Sequence, residues 1–380
     1  MLTAVYATSG YGEQLPHPAD NEWEWHLPPG FSPPPVPAAN PMSTNKVELG
    51  RRLFYDNRLS VNGQGSCASC HQQRLAFSDG RAQAVGVTGE RHTRSSMTLV
   101  NVAYNATYTW ASRDVQTLEQ QIPIPLFNEQ PIELGLRGRE DALVEALASD
   151  PLYRYLFEQA FLDSASPESK NPVDIENVIK ALASFVRSII SADSAFDRRL
   201  FLDDQSALSA SAIRGMRLFY SDKFRCGECH AGRNLAGGEL DNTNDPSTAG
   251  FHNTGLYNLG GQNRYPRHDS GLRMETNDAN DDGKFRAPTL RNIALTAPYM
   301  HDGSIETLSV VIDHYAAGGR SIEQGDYFGN GSVNIRKSPL LTGFELTDAE
   351  KNALLDFLDS LTDYSLLEDA RFAAPEISRE

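Results

Sequence analysis

Apolar residues recur at helical spacing over 175–190, where Ile175, Val178, Ile179, Leu182, Phe185 and Val186 fall on one stripe. A second stripe runs through Leu354, Leu355, Leu358 and Leu361, and Thr347 with Glu350 ahead of it reads as a capping box. Convincing alternation of apolar and polar residues, the mark of half-buried strands, is absent. Gly- and Asn-rich stretches, chiefly 232–283, read as loops. Residues 1–43 hold Pro28, Pro29, Pro33, Pro34, Pro35, Pro37 and Pro41 and read as chain extended over the surface, with Trp23 and Trp25 as anchors. The pattern predicts an all-α protein.

An internal repeat organises the rest. Gly50-Arg-Arg-Leu-Phe-Tyr55 precedes one cysteine pair and Gly215-Met-Arg-Leu-Phe-Tyr220 precedes another. Further on, Thr98, Leu99, Asn101, Ala103, Ala106 and Tyr108 match Thr289, Leu290, Asn292, Ala294, Ala297 and Tyr299 in a single register. Two homologous halves account for this. The expected division is an extended segment at 1–43, one domain at 44–198 and a second at 199–380.

Composition narrows the function. The chain has 380 residues, 40% of them hydrophobic and 22% charged, as in soluble globular proteins. A formal charge of −16 argues against nucleic acid as a partner. No apolar run is long enough for a membrane span; the best one, Ile179 to Ile190, is interrupted by Lys180 and Arg187. The first residues show no charged start followed by an apolar stretch.

All four cysteines lie in Cys67-Ala-Ser-Cys70-His71 and Cys226-Gly-Glu-Cys229-His230. In Cys-x-x-Cys-His each thiol can add to one vinyl group of a porphyrin while the adjacent histidine reaches the iron. A zinc site would need two further ligands at each motif, and a redox Cys-x-x-Cys would not need histidine twice in the same place. Two covalently bound haem c groups are expected, and haem attachment implies a periplasmic or secreted protein. The sixth position on each iron then decides function: two strong protein ligands make an electron carrier, whereas an open position admits peroxide. For the second iron the residues alone leave Met274, Met300, His301, His314 and Tyr315 open.

The sequence resembles the bacterial di-haem cytochrome c peroxidase and MauG family over about 42–365. The resemblance is carried by Phe77-Ser-Asp-Gly80, Trp110, Thr117-Leu-Glu-Gln-Gln121, Glu133-Leu-Gly135, Phe285-Arg-Ala-Pro-Thr-Leu-Arg-Asn292 and Ala297-Pro-Tyr-Met-His-Asp-Gly303. Asn40-Pro-Met42, Arg94-Ser-Ser-Met-Thr-Leu-Val-Asn101 and Pro125-Leu-Phe look closest to the MbnH-type enzymes, which are paired with a secreted copper-binding protein. The resemblance implies that His71 holds a high-spin haem open to hydrogen peroxide and that Glu133 moves the proton between the peroxide oxygens. It also implies that Gln121 and Pro125 line that pocket and that Trp110 carries charge between the haems. Tyr315, before Gly318-Gly319, takes the place of the peroxidases' methionine as sixth ligand of the low-spin haem at His230, with His314 as its rival.

Three departures from the family pattern matter. The region Val85–Thr88 lacks the histidine that blocks the first iron in the peroxidases, so that iron is expected to be open; His92 lies a few residues away and reaches it only if the loop rearranges. Thr296 and Pro298 match calcium ligands, but Ser95 replaces the asparagine, so calcium is the less secure expectation. Phe224 replaces the tryptophan that passes holes to MauG's partner, which leaves Tyr220, another tyrosine or the haem edge as exit.

The leading expectation is an enzyme that uses peroxide to oxidise a tryptophan, to kynurenine, on a copper-binding partner protein through a high-valent di-haem state. The alternative is a peroxidase fed by a small electron-donor protein. A non-catalytic electron-transfer cytochrome ranks third.

Overall fold

The computed structural model describes residues 21–161, 172–238 and 250–376; the remainder of the expected extended segment (1–20) and of the 232–283 loop region lies outside them. The helices are α1 Thr44–Tyr55, α2 Cys67–Cys70, α3 Leu118–Gln121, α4 Pro123–Phe127, α5 Glu140–Ser149, α6 Pro151–Ala160, α7 Ile175–Ser188, α8 Ala195–Phe201, α9 Ala210–Phe219, α10 Arg273–Thr276, α11 Leu308–Ala316, α12 Asp348–Asp359 and α13 Tyr364–Glu368. Two antiparallel strand pairs accompany them, β1 Phe251–Asn253 with β2 Lys284–Arg286 and β3 Ser321–Ile322 with β4 Gly329–Asn330. The protein is thus helix-rich with few strands rather than strictly α. Strands of two or three residues are too short to display alternation, which is why the pattern reads them as loop.

Local chemistry sets the helix ends. Asp174 accepts the Asn177 N–H at 2.7 Å and starts α7, which stops at Ser188, just short of the expected 190. The predicted box at α12 forms: Thr347 N–H donates to Glu350 at 3.0 Å and Glu350 N–H to the Thr347 hydroxyl at 3.3 Å. Leu354, Leu358 and Leu361 of its stripe are buried.

Two helix crossings carry the architecture. Helix α1 lies on α7, and α9 lies on α12. A Cβ on Gly50 would sit 2.0 Å from the Ala181 carbonyl oxygen and 2.9 Å from Phe185 Cβ; on Gly215 it would sit 1.8 Å from the Ala353 oxygen and 2.8 Å from Phe357 Cβ. Both crossings therefore need glycine for backbone to meet backbone. The repeat-related asparagines behave alike. Asn101 and Asn292 adopt left-handed φ of 56° and 59°, and their N–H groups bond the Ile189 and Leu361 carbonyls, each at 3.0 Å.

One core gathers Leu49, Leu53, Phe54, Phe157, Leu182 and Phe185; another gathers Phe196, Phe219, Leu354 and Phe357. Residues of the C-terminal segment return to the first core. Leu366 and Phe372 join the first core, and Tyr55 donates its hydroxyl to the Phe372 carbonyl at 2.6 Å. Residues 21–43 contain no helix, and Phe31 packs edge-on against both Phe201 and Tyr104. Trp23 rests on the first core. Among the described residues no helix is long and apolar enough to cross a membrane.

Candidate haem sites

Helix α2 is a single turn opened by Ser66, whose N–H bonds the Ser69 hydroxyl at 3.0 Å. Residues three apart share a helix face, so Cys67 and Cys70 project together. The His71 N–H bonds the Cys67 carbonyl at 3.0 Å, and the His230 N–H bonds the Cys226 carbonyl at the same 3.0 Å. Each ring is then pinned by Nδ1, to the Phe77 carbonyl at 2.9 Å for His71 and to the Leu235 carbonyl at 3.1 Å for His230. A carbonyl partner requires Nδ1 to carry the proton, which leaves Nε2 as the free lone pair. Burial lowers both pKa values, that of His230 to about 4, so the imidazoles are neutral.

No disulfide joins any two of the four cysteines. Burial pushes Cys67 and Cys226 up to about 12, and Cys70 and Cys229 up to about 11. Among the described residues no three His, Cys, Asp or Glu side chains converge as a metal cluster requires. Paired thiols with a neutral, oriented imidazole at each motif fit haem c.

Around the first motif, Glu133 lies close enough for its charge to disfavour ionisation of both Cys67 and Cys70. Burial raises its own pKa to about 7. Its segment is zipped to the loop before it: Val87 N–H bonds the Glu133 carbonyl at 2.9 Å, and the Pro125 carbonyl accepts from Leu134 at 3.0 Å. The Gln121 Oε1 is buried without a partner among the described residues. His92 lies against Glu133, with 3.9 Å between Nε2 and Oε1. Its Nδ1 accepts the Arg94 N–H at 3.2 Å, so a neutral His92 carries its proton on the nitrogen that faces the carboxylate. Sequence spacing did not bring out this contact, because a loop reversal between Val85 and Arg91 creates it.

The second motif opens into a cavity of about 240 Å³. Cys226, Cys229, His230, Phe224, Leu340 and Tyr315 are among its lining residues. Tyr315 is half-buried on the cavity wall; desolvation first, then the charges of Cys229 and Cys226, push its phenol well above the usual tyrosine range. Of its rivals, Met300 and His301 also line the cavity, whereas His314 and Met274 do not. The His314 Nε2 is engaged by the Thr254 carbonyl at 3.0 Å. His301 lies flat on Phe285, ring centres 3.7 Å apart.

A short relay of contacts joins the two motifs. The Ser96 hydroxyl donates to the Cys70 carbonyl at 2.7 Å, the Trp110 indole N–H donates to the Ser95 carbonyl at 3.0 Å, and Arg286 N–H donates to the Trp110 carbonyl at 2.8 Å. Trp110, Ser95, Thr296 and Pro298 all line the second cavity. Arg286, quoted above only within a motif, is a functional candidate the sequence did not single out; its burial is visible only in the fold. Phe224 packs on Phe344 at 4.6 Å. Tyr220 is 49% exposed, with its ring lying on the Gly227 backbone of the second motif.

The family model for di-haem cytochrome c peroxidase matches residues 44–205. The methylamine utilization protein MauG of Methylorubrum extorquens is 33% identical over 86% of this chain and 81% of its own length. Cytochrome-c peroxidase IdrP1 of Denitromonas iodatirespirans is 35% identical over 87% and 85%. The crystal structure of a MauG-like protein associated with microbial copper homeostasis superposes with a TM-score of 0.88 at 43% identity, covering 93% of this chain and 99% of that one.

Proposed function

The chain belongs to the di-haem cytochrome c peroxidase and MauG family, whose members are oxidoreductases carrying two haem c groups, and from that footing we propose that it uses hydrogen peroxide to oxidise a tryptophan, to kynurenine, on a secreted copper-binding partner. The observation that carries this reading is Tyr315 lining the cavity beside Cys226 and Cys229. As a phenolate ligand it favours the oxidised states of iron, where a methionine would favour the ferrous state. The 43% identity to a protein associated with copper homeostasis supports the choice of partner.

The haems, once attached through Cys67, Cys70, Cys226 and Cys229, supply the peroxide and electron-transfer chemistry. His71 and His230, each with Nδ1 held by a carbonyl, would hold the irons through Nε2. Glu133, with a pKa near neutrality, takes a proton from one peroxide oxygen and returns it to the other. Gln121 and Pro125 bound that pocket and His92 contacts its carboxylate. Trp110 conducts between the sites. Tyr220, exposed on the second motif, is the exit toward a partner too large to enter. Ser95, Thr296 and Pro298, which line one cavity, would supply oxygen ligands to a calcium ion. Segments 44–198 and 199–380 are duplicated cytochrome c domains behind a Pro-rich segment at 1–43, and the protein works in the periplasm or outside the cell.

Incubating the holoenzyme and peroxide with the copper-binding partner should change the partner's mass as tryptophan-to-kynurenine conversion requires. An unchanged partner beside an enzyme that rapidly oxidises a reduced small cytochrome would transfer the assignment to the second reading, a peroxidase fed by an electron-donor protein. That reading draws on the same Glu133 pocket.

A further inference from the structure

Buried arginines in this acidic protein are matched with carboxylates. Arg291 meets Asp197 at 2.8 Å, Arg187 meets Glu119 at 2.7 Å and Arg51 meets Glu48 at 2.8 Å. Arg286 breaks the rule. It is only 4% exposed, its Nε donates to the Thr109 carbonyl at 3.2 Å and its Nη2 lies 3.7 Å from the Met97 sulfur. Among the described residues no carboxylate stands within ion-pair distance of it. Burial brings its pKa down to about 10, so it is still charged at neutral pH. A guanidinium withdrawn from water without an anion is strongly unfavourable.

The side chain has nowhere else to go. Its residue closes β2, opposite Phe251 of β1, and its N–H is tied to the Trp110 carbonyl at 2.8 Å. It lines the cavity that Cys226, Cys229 and His230 also line. In the repeat register that matches Thr98 with Thr289, Ser95 occupies the corresponding place in the other half, so the first half has no equivalent cation there. The missing anion must come from what fills the cavity.

We propose that Arg286 is the counter-ion of a propionate carboxylate on the haem carried by Cys226 and Cys229. Haem bears two propionates away from the vinyl positions that the cysteines capture, and a guanidinium fork matches a carboxylate better than any other side chain does. The pair neutralises a charge that the protein itself leaves unmatched, and it fastens the haem edge to the backbone beside Trp110. It also places a fixed positive charge next to one iron, which favours the reduced form there and opposes the effect of the Tyr315 phenolate. The assignment needs only the haem, not the identity of the partner.

The test is a redox titration resolving each haem in the wild type, Arg286→Lys and Arg286→Gln holoenzymes. Arg286→Gln should shift the oxidised-to-reduced ratio of the second haem at least tenfold toward oxidised at a given potential, about 59 mV downward for one electron. The first haem should move less, and Arg286→Lys should stay closer to the wild type. Unchanged midpoints in an Arg286→Gln enzyme that retains both haems would overturn the proposal. Should that variant fail to mature, a crystal structure of the wild-type holoenzyme decides: guanidinium nitrogen to propionate oxygen at about 2.7–3.2 Å supports the pair, and a guanidinium turned to protein or water alone refutes it.

Discussion

The two motif sites are built on one plan as far as their proximal sides go, and they part on the distal sides. In both, a glycine lets two helices touch through backbone, a histidine is pinned through Nδ1 to a carbonyl, and a threonine locks the strap beyond it. The Thr98 hydroxyl donates to the Ala76 carbonyl at 2.5 Å and the Thr289 hydroxyl to that of Asn234 at 2.6 Å. Near Cys67 and Cys70, by contrast, stands a carboxyl group with a pKa of about 7. The cavity beside His230 is lined by a phenol instead, that of Tyr315. Attachment is a property of the repeated scaffold. Reactivity is a property of the loops and helices inserted after it, where the halves are free to differ.

Glu133→Gln attacks that contrast hardest. Losing an acid–base group in contact with the reaction should slow the first haem's reaction with peroxide by about 10²–10⁴-fold. The sign of the pH effect follows from the raised pKa. Below about 7 the carboxyl is protonated and cannot accept the peroxide proton, so the wild-type rate should climb as pH rises through about 7. The variant should show a slow, flat profile in stopped-flow absorbance. A variant that retains the climb would mean that His92 or another group titrates in its place.

Tyr315→Phe tests the other half of the contrast. Both haems should stay attached, because the cysteines and His230 are untouched, while the second haem's low-spin spectrum is lost and the first haem still consumes peroxide. An unchanged spectrum would point to Met300 or His301, which share the cavity, rather than to His314, whose Nε2 is already bonded to the Thr254 carbonyl.

Gly50→Ala and Gly215→Ala test the shared scaffold. Each new methyl would meet a carbonyl oxygen at 2.0 Å or less, and such overpacking costs about 1–3 kcal/mol. Thermal unfolding should show similar losses for the two. A large inequality would mean that the crossings are not equivalent supports.

Much of this was legible in the chain, and for identifiable reasons. Helices α7 and α12 announce themselves through long stripes and a side-chain cap, both local signals. The haem motifs are legible because thioether attachment imposes a fixed spacing. The β1–β2 pair was not, since Phe251 and Arg286 meet only when a long loop closes. The His92–Glu133 contact and the isolation of the Arg286 charge are of the same kind. They depend on which distant groups approach, and on which do not. Tyr315 is a case between: the residues alone left five possible ligands, and lining the second cavity separates it from His314 and Met274 but not from Met300 and His301.

The smallest expected effects come from one pair of repeat-related tyrosines, and they should be opposite in kind. Tyr55 donates to the Phe372 carbonyl at 2.6 Å, so the returning C-terminal segment covers the first motif's end of α1. Tyr55→Phe should therefore lose about 1 kcal/mol of stability, one hydrogen bond's worth, and leave partner oxidation unchanged. Tyr220 has no such cover. It is 49% exposed on the second motif, so Tyr220→Phe should alter stability by less than about 0.5 kcal/mol. Phenylalanine resists one-electron oxidation, however, so the same change should slow oxidation of the partner while peroxide consumption at the first haem stays as it was. Equal rates of partner oxidation in the two variants would remove Tyr220 from the route and leave another tyrosine or the haem edge as the exit.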